Sequence, residues 1–142
     1  MTLALVHAAA TWFLVGLIWM VQVVHYPLFS RVGEAGFIAY EAAHTRLISF
    51  IVGPSMLVEG VCALVLFFAP PDGLDRWLPL VAGLVLAVVH GSTITLQVPA
   101  HGRLSESWDA DVAARLLRTN WIRTIGWTVR GVLALVMVGA VA

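Results

Sequence analysis

The chain contains no lysine; its eight basic residues are all arginine, and eight acids balance them. A nucleic-acid reader needs a basic face, and none is visible here, so no nucleic-acid partner is expected. Cysteine is nearly absent as well. With Cys62 alone there is no intramolecular disulfide and no CxxC redox or zinc motif. Charged residues make up 11% of the chain, where a soluble domain carries about 25%. Phosphate loops and nucleophile elbows are missing too. The stretch "GLVLAVVHGS" sets no base beside its serine in sequence, which disfavours acyl transfer.

What is present is apolar length. Of 142 residues, 61% are hydrophobic, and mean hydropathy is +0.94. Four runs, at about 3–26, 46–69, 76–98 and 120–141, reach the roughly 20 residues that a bilayer crossing requires. They are continuous rather than alternating, which predicts helices and not a barrel. The first run lacks a positive n-region and is long for a signal peptide, so it reads as a retained helix. The expectation is an all-α bundle of four transmembrane helices, forming a single integral membrane domain over residues 1–142. Lipid contact alone accounts for such apolarity, so it carries no oligomeric state.

Arginine placement sets the expected orientation. Arg31, Arg46, Arg103, Arg115, Arg118 and Arg123 fall in the stretches 27–46 and 99–123, whereas the short loop 70–77 holds only Arg76. The positive-inside rule then puts the two longer connections in the cytoplasm and both termini outside the inner (cell) membrane. Within those connections, Val32, Phe37, Tyr40 and Ala43 are near helical spacing. The segment from Ser105, with Ser105 and Asp109 as candidate N-caps, also has a period near 3.6. Each connection is expected to form a short helix at the membrane surface, with a solvated loop helix as the alternative.

A weak internal repeat is visible. "QVVHYPLFSR" aligns with "QVPAHGRLS", and "RLISFIV" with "RTIGWTV". Two copies of a span–helix–span unit would be related by a two-fold axis along the membrane normal. Chance similarity between apolar segments is the competing account.

On helices, each span carries a polar stripe. His7, Thr11, Gln22 and His25 share a face of the first. His44, Ser55, Glu59 and Cys62 share one of the second, His90, Thr93, Gln97 and His101 one of the third, and Asn120, Arg123, Trp127 and Arg130 one of the fourth. Glu59 and Arg130 lie near the middle of their spans. Isolated charges there cost several kcal/mol, so the two are expected to pair, with His90 beside them. That Glu59, His90 and Arg130 set is either catalytic or a buried pair that fixes helix register. A second set lies nearer the cytoplasmic face: His25, His44, His101, Asn120 and Arg123. Its three histidines are candidate ligands for a transition metal or haem, or else anchors of helix ends. Tyr26, Tyr40 and Trp121 fit an aromatic belt. Gly16, Gly53, Gly60, Gly83, Gly91, Gly126 and Gly131 are expected where helices pack closely. Pro54 is expected to kink the second span and free a carbonyl near Glu59.

The residues "HYPLF", Tyr40, His44, Arg46, Pro54, Glu59 and "NWIRTIGWTVRG" resemble a group of small four-span bacterial membrane proteins. More distantly the chain is similar to the anthrone-oxygenase-like membrane family. "HAAATWFLVGLIW" also resembles the first helix of the haem-binding bacterial protoporphyrinogen oxidases, which implies an active-region role for His7. The combined expectation is a metal- or haem-assisted oxidoreductase or oxygenase acting on a lipophilic small molecule. The alternatives are a small-molecule or proton transporter, or a structural or assembly subunit.

Overall fold

The computed structural model describes residues 1–142 and contains four long helices: α1 (Thr2–Arg31), α2 (Glu34–Phe68), α3 (Trp77–Glu106) and α4 (Ala110–Ala140). α1 packs on α2 and α4, and α3 on α4 and α2, which closes an up-and-down ring with α1 diagonal to α3 and α2 diagonal to α4. All four are long and apolar enough to cross a membrane. Their outward faces bear large apolar side chains, among them Phe13, Phe50, Leu57, Leu84, Ile94, Ile125 and Leu135. Water would not tolerate so continuous an apolar surface on a monomer. The chain is a multi-pass membrane protein.

The connections are helical, as their periodicity implies, but they are fused to the spans instead of lying apart on a surface. Residues 34–46 are the first turns of α2, and 98–106 the last turns of α3. The reason is that their apolar positions continue the inward stripe. Phe37 packs on Phe29 and Trp108, and together with Leu104, Val112 and Leu116 they extend the core beyond the apolar runs. Only short links remain. Gly33 turns the chain between α1 and α2 at φ 83°, a conformation open to glycine. Asp109 caps α4, its Oδ1 accepting from the amides of Asp111 and Val112 at 2.9 and 3.0 Å. Ser105, the other candidate cap, lies inside α3 and donates to the His101 carbonyl.

Two π-helical turns interrupt the ring, at Val21–His25 in α1 and Thr93–Gln97 in α3. Pro27 follows the first and Pro99 the second. A proline cannot donate to the carbonyl four residues earlier, and its ring crowds that carbonyl, so the preceding turn widens. These prolines are what the two halves share. The aligned glutamines, Gln22 and Gln97, occupy different positions within the two turns. Arg46 and Arg123, also aligned in sequence, differ in setting: Arg46 is exposed and Arg123 half-buried. The ring order itself is the one that a two-fold along the bundle axis requires.

Of the glycines expected at close contacts, Gly126 and Gly131 have that role. Gly126 leaves room for Val89 of α3, and a Cβ on Gly131 would lie 3.1 Å from Val15 and 3.2 Å from Trp12 of α1. Gly16, Gly53, Gly60, Gly83 and Gly91 meet nothing within 4 Å. α4 is thus the helix against which its neighbours pack tightly. Trp12 and Trp19 of α1 donate to the Gly131 carbonyl and the Thr128 hydroxyl at 3.1 and 3.0 Å. Pro54 lies within α2 without ending it.

Candidate functional site

Two polar clusters occupy the bundle interior. The first joins Glu59 of α2 to Arg130 of α4 across the ring's diagonal, and both are fully buried. An isolated charge there would be costly, and the guanidinium removes that cost. It also donates to the Ala82 carbonyl of α3. The expected histidine partner is replaced by another. His7, not His90, stands beside the pair, its Nε2 3.3 Å from Glu59 Oε1 and 3.2 Å from Arg130 Nη2. Thr11 adds a hydroxyl 3.4 Å from the same carboxylate oxygen. His90 points elsewhere: its Nδ1 meets the Leu86 carbonyl at 3.0 Å, and its ring borders an outer groove with Met56 and Val61. A rotation of about 100° per helical residue accounts for this. Ala82 and Val89 hold the inward positions of α3, and His90 falls just off that face. The space beside His7 does not hold even one water molecule.

The second cluster lies toward the arginine-rich end and is built differently. Glu41, fully buried, sits 2.5 Å through Oε1 from His101 Nδ1. The other nitrogen of His101 is 2.9 Å from the buried hydroxyl of Tyr26. His44 Nδ1 lies 2.8 Å from His25 Nε2. Glu41, His44 and His101 each bring a ligand-capable atom within 4.8 Å of the others. Glu41 Oε2 has no partner at all. The donor set, two imidazoles and one carboxylate, suits a divalent transition metal, and an orphaned carboxylate oxygen is what a cation would satisfy. His44 has Nδ1 held by His25, which leaves Nε2 for a metal, as metal-binding imidazoles are commonly oriented. Both nitrogens of His101 are engaged, Nε2 by Tyr26 and Nδ1 by Glu41, so a cation there would take the place of the His101–Glu41 contact. His25, a candidate ligand by sequence, is therefore a support for His44 and not one of the converging donors.

Asn120 and Arg123 stand on the α4 wall. Gln22 accepts from Asn120 at 2.9 Å and from Thr124 at 3.3 Å, and Arg123 Nη1 donates to Asn120 Oδ1 at 3.1 Å. Between this wall and the histidines lies a cavity of about 500 Å³. Leu14, Leu17, Ile18, Val52, Met56 and Trp127 line its body, and Tyr26, His44, His101 and Arg123 line its polar parts. A lipophilic molecule of drug size fits such a volume.

Sequence reasoning missed two members. Glu41 is one, and its signal was available: Glu41-Ala-Ala-His44 places a carboxylate and an imidazole at i and i+3, a spacing that helical metal sites use. Tyr26 is the other; as an interfacial aromatic it had no distinguishing mark. Trp121, by contrast, is exposed as expected of a belt residue, its ring edge-on to Trp19 at 5.7 Å. Compared with models of known protein families, with curated proteins and with solved structures, the chain matches none.

Proposed function

We propose that this protein is a membrane-embedded, metal-assisted oxidoreductase whose substrate is a lipophilic small molecule. The observation that carries the reading is the convergence of Glu41, His44 and His101, of which the two histidines line an apolar cavity. Two histidines and one carboxylate with open positions are the donor set of non-haem iron oxygenases. A bound iron-class ion would supply one-electron and dioxygen chemistry. A haem fits less well, because it takes axial ligands and leaves the Glu41 carboxylate without a task.

The protein's own groups have clear parts in this scheme. Glu41, His44 and His101 would hold the ion, with a carboxylate oxygen of Glu41 as its anionic ligand. His25 fixes the ring of His44. Tyr26, bonded to His101 and facing the cavity, is placed to give a proton to a substrate oxygen or take one. The apolar walls keep bulk water away from the reacting group. By the positive-inside rule the site lies at the cytoplasmic side of the inner membrane, with both termini outside.

Metal analysis of protein purified in mild detergent and reloaded with ferrous iron tests this. The expected result is one equivalent bound by the native protein and none by Glu41→Gln or His44→Ala. Failure of the native protein to bind iron, manganese or zinc would leave a transporter or an assembly subunit as the better account.

A further inference from the structure

Arg123 has no anionic partner. None of the chain's ion pairs includes it, and its Nε is buried without an acceptor. It nevertheless lines a largely apolar cavity inside a membrane protein. An arginine in such a setting normally faces a counter-charge, and the same fold supplies one to Arg130. The Arg123 side chain is not loose either. Gln22 holds Asn120, and Asn120 accepts from Arg123, so the guanidinium is oriented by a chain of side chains from two helices. A positioned, unneutralised fork at the wall of an apolar chamber is a receptor for a carboxylate-like group.

The chamber also has a route of entry. α2 is the least buried of the four helices, with 17% of its most apolar stretch buried against 44% for α1. Of the cavity's lining, Ser49 and Gly53 on α2 and Val98 and Gly102 on α3 are exposed on the outer surface. The mouth therefore opens sideways between α2 and α3, at a level where neighbouring exposed residues such as Phe50 and Ile94 are apolar.

We propose that the cavity takes a lipophilic acid, an apolar molecule ending in one anionic oxygen group, which enters laterally between α2 and α3 and docks that group on Arg123. This rests on the reading of the cavity as the substrate site and names the substrate's class. Held by Arg123, the head of the molecule lies on the wall shared with Tyr26 and is presented to the Tyr26 hydroxyl.

Ligand binding tests this without recourse to turnover or metal. The protein is placed in nanodiscs of zwitterionic lipid, with empty nanodiscs as the blank. Parinaric acid is titrated and energy transfer from tryptophan recorded; its methyl ester is the neutral control. A hydroxynaphthoquinone and its methyl ether, read by tryptophan quenching, separate acidic phenols from carboxylic acids. At least one acid should bind 10–100-fold more tightly than its neutral counterpart, the range expected for a charge-assisted contact. Arg123→Gln should remove that preference and Arg123→Lys restore part of it. Gly53→Trp, which fills the mouth, should weaken acid and neutral form alike. Equal binding of acid and neutral form by the native protein, no saturable binding of either, or an acid preference that survives Arg123→Gln would overturn the proposal. Should Arg123→Gln fail to fold, the native acid-to-neutral ratio and Arg123→Lys still decide. Metal content measured on the same samples keeps a failure here distinct from a failure of the metal site.

Discussion

The two interior clusters use similar parts to opposite ends. Each contains a fully buried glutamate beside a histidine: Glu59 with His7, and Glu41 with His101. Around Glu59 the fold closes the account of charge by adding Arg130, and no space remains. Around Glu41 it does not. No guanidinium reaches Glu41, one of its oxygens is unpartnered, and the nearest arginine in the chamber, Arg123, is also left without an anion. Glu41 sits behind the cavity-lining His101, and Arg123, which lines the same cavity, pairs with no carboxylate. Neutralised charges lock helices together. Charges kept apart beside a cavity are available to a cation and to an acid.

The sharpest way to break this comparison is to remove one partner of the central pair. Glu59→Ala or Arg130→Ala leaves a buried charge uncompensated and should cost about 3–5 kcal/mol. Thermal unfolding followed by circular dichroism in detergent should show it as a large loss of Tm, and the double change Glu59→Leu with Arg130→Met should recover much of the loss. If the single changes leave Tm where it was, the lock reading fails.

Next in size is the metal set itself. Glu41→Gln should abolish iron binding while shifting stability by less than the central substitutions do, because the amide can still bond His101 and no guanidinium is left unpaired. A collapse of the fold as severe as that of Glu59→Ala would erase the distinction between the clusters. His25→Phe should be milder. It removes the support of His44 and should weaken metal binding by about 10–100-fold, as second-layer changes do; competition with a chelator measures it. Unchanged affinity would mean that His25 does not orient His44.

At the low end, Arg76→Ala alters an exposed side chain outside both clusters and should change stability by no more than about 0.5 kcal/mol. Reporter fusions complete the set. A reporter at the C-terminus should signal the outside, and one at 107–109 the cytoplasm. The reverse pattern would move the metal set to the other face of the membrane.

The fold was largely legible, and particular residues show why. The four apolar runs located the four helices, since each needed only its own composition to be recognised. The central pair was legible too, because a mid-run carboxylate and a mid-run guanidinium have few alternatives in hydrocarbon. Its histidine was not. His7 and His90 both lie on polar stripes, and choosing between them required the rotation of α3 about its axis, which Gly126 and Val89 set by close packing. Among the glycines, composition could not tell Gly126 and Gly131 from five others that face open space.

The sequence by itself determined the number of crossings, the end that carries the arginines, and the need for Glu59 and Arg130 to find each other. Those follow from local quantities, namely hydropathy over about 20 residues and the cost of a lone charge in lipid. Only the tertiary structure decided that Glu41 joins His44 and His101, that His25 stands behind them, and that Arg123 lines an apolar cavity. Those outcomes depend on distances between helices, and interhelical distance is fixed by packing across the whole ring, which no single stretch of sequence encodes.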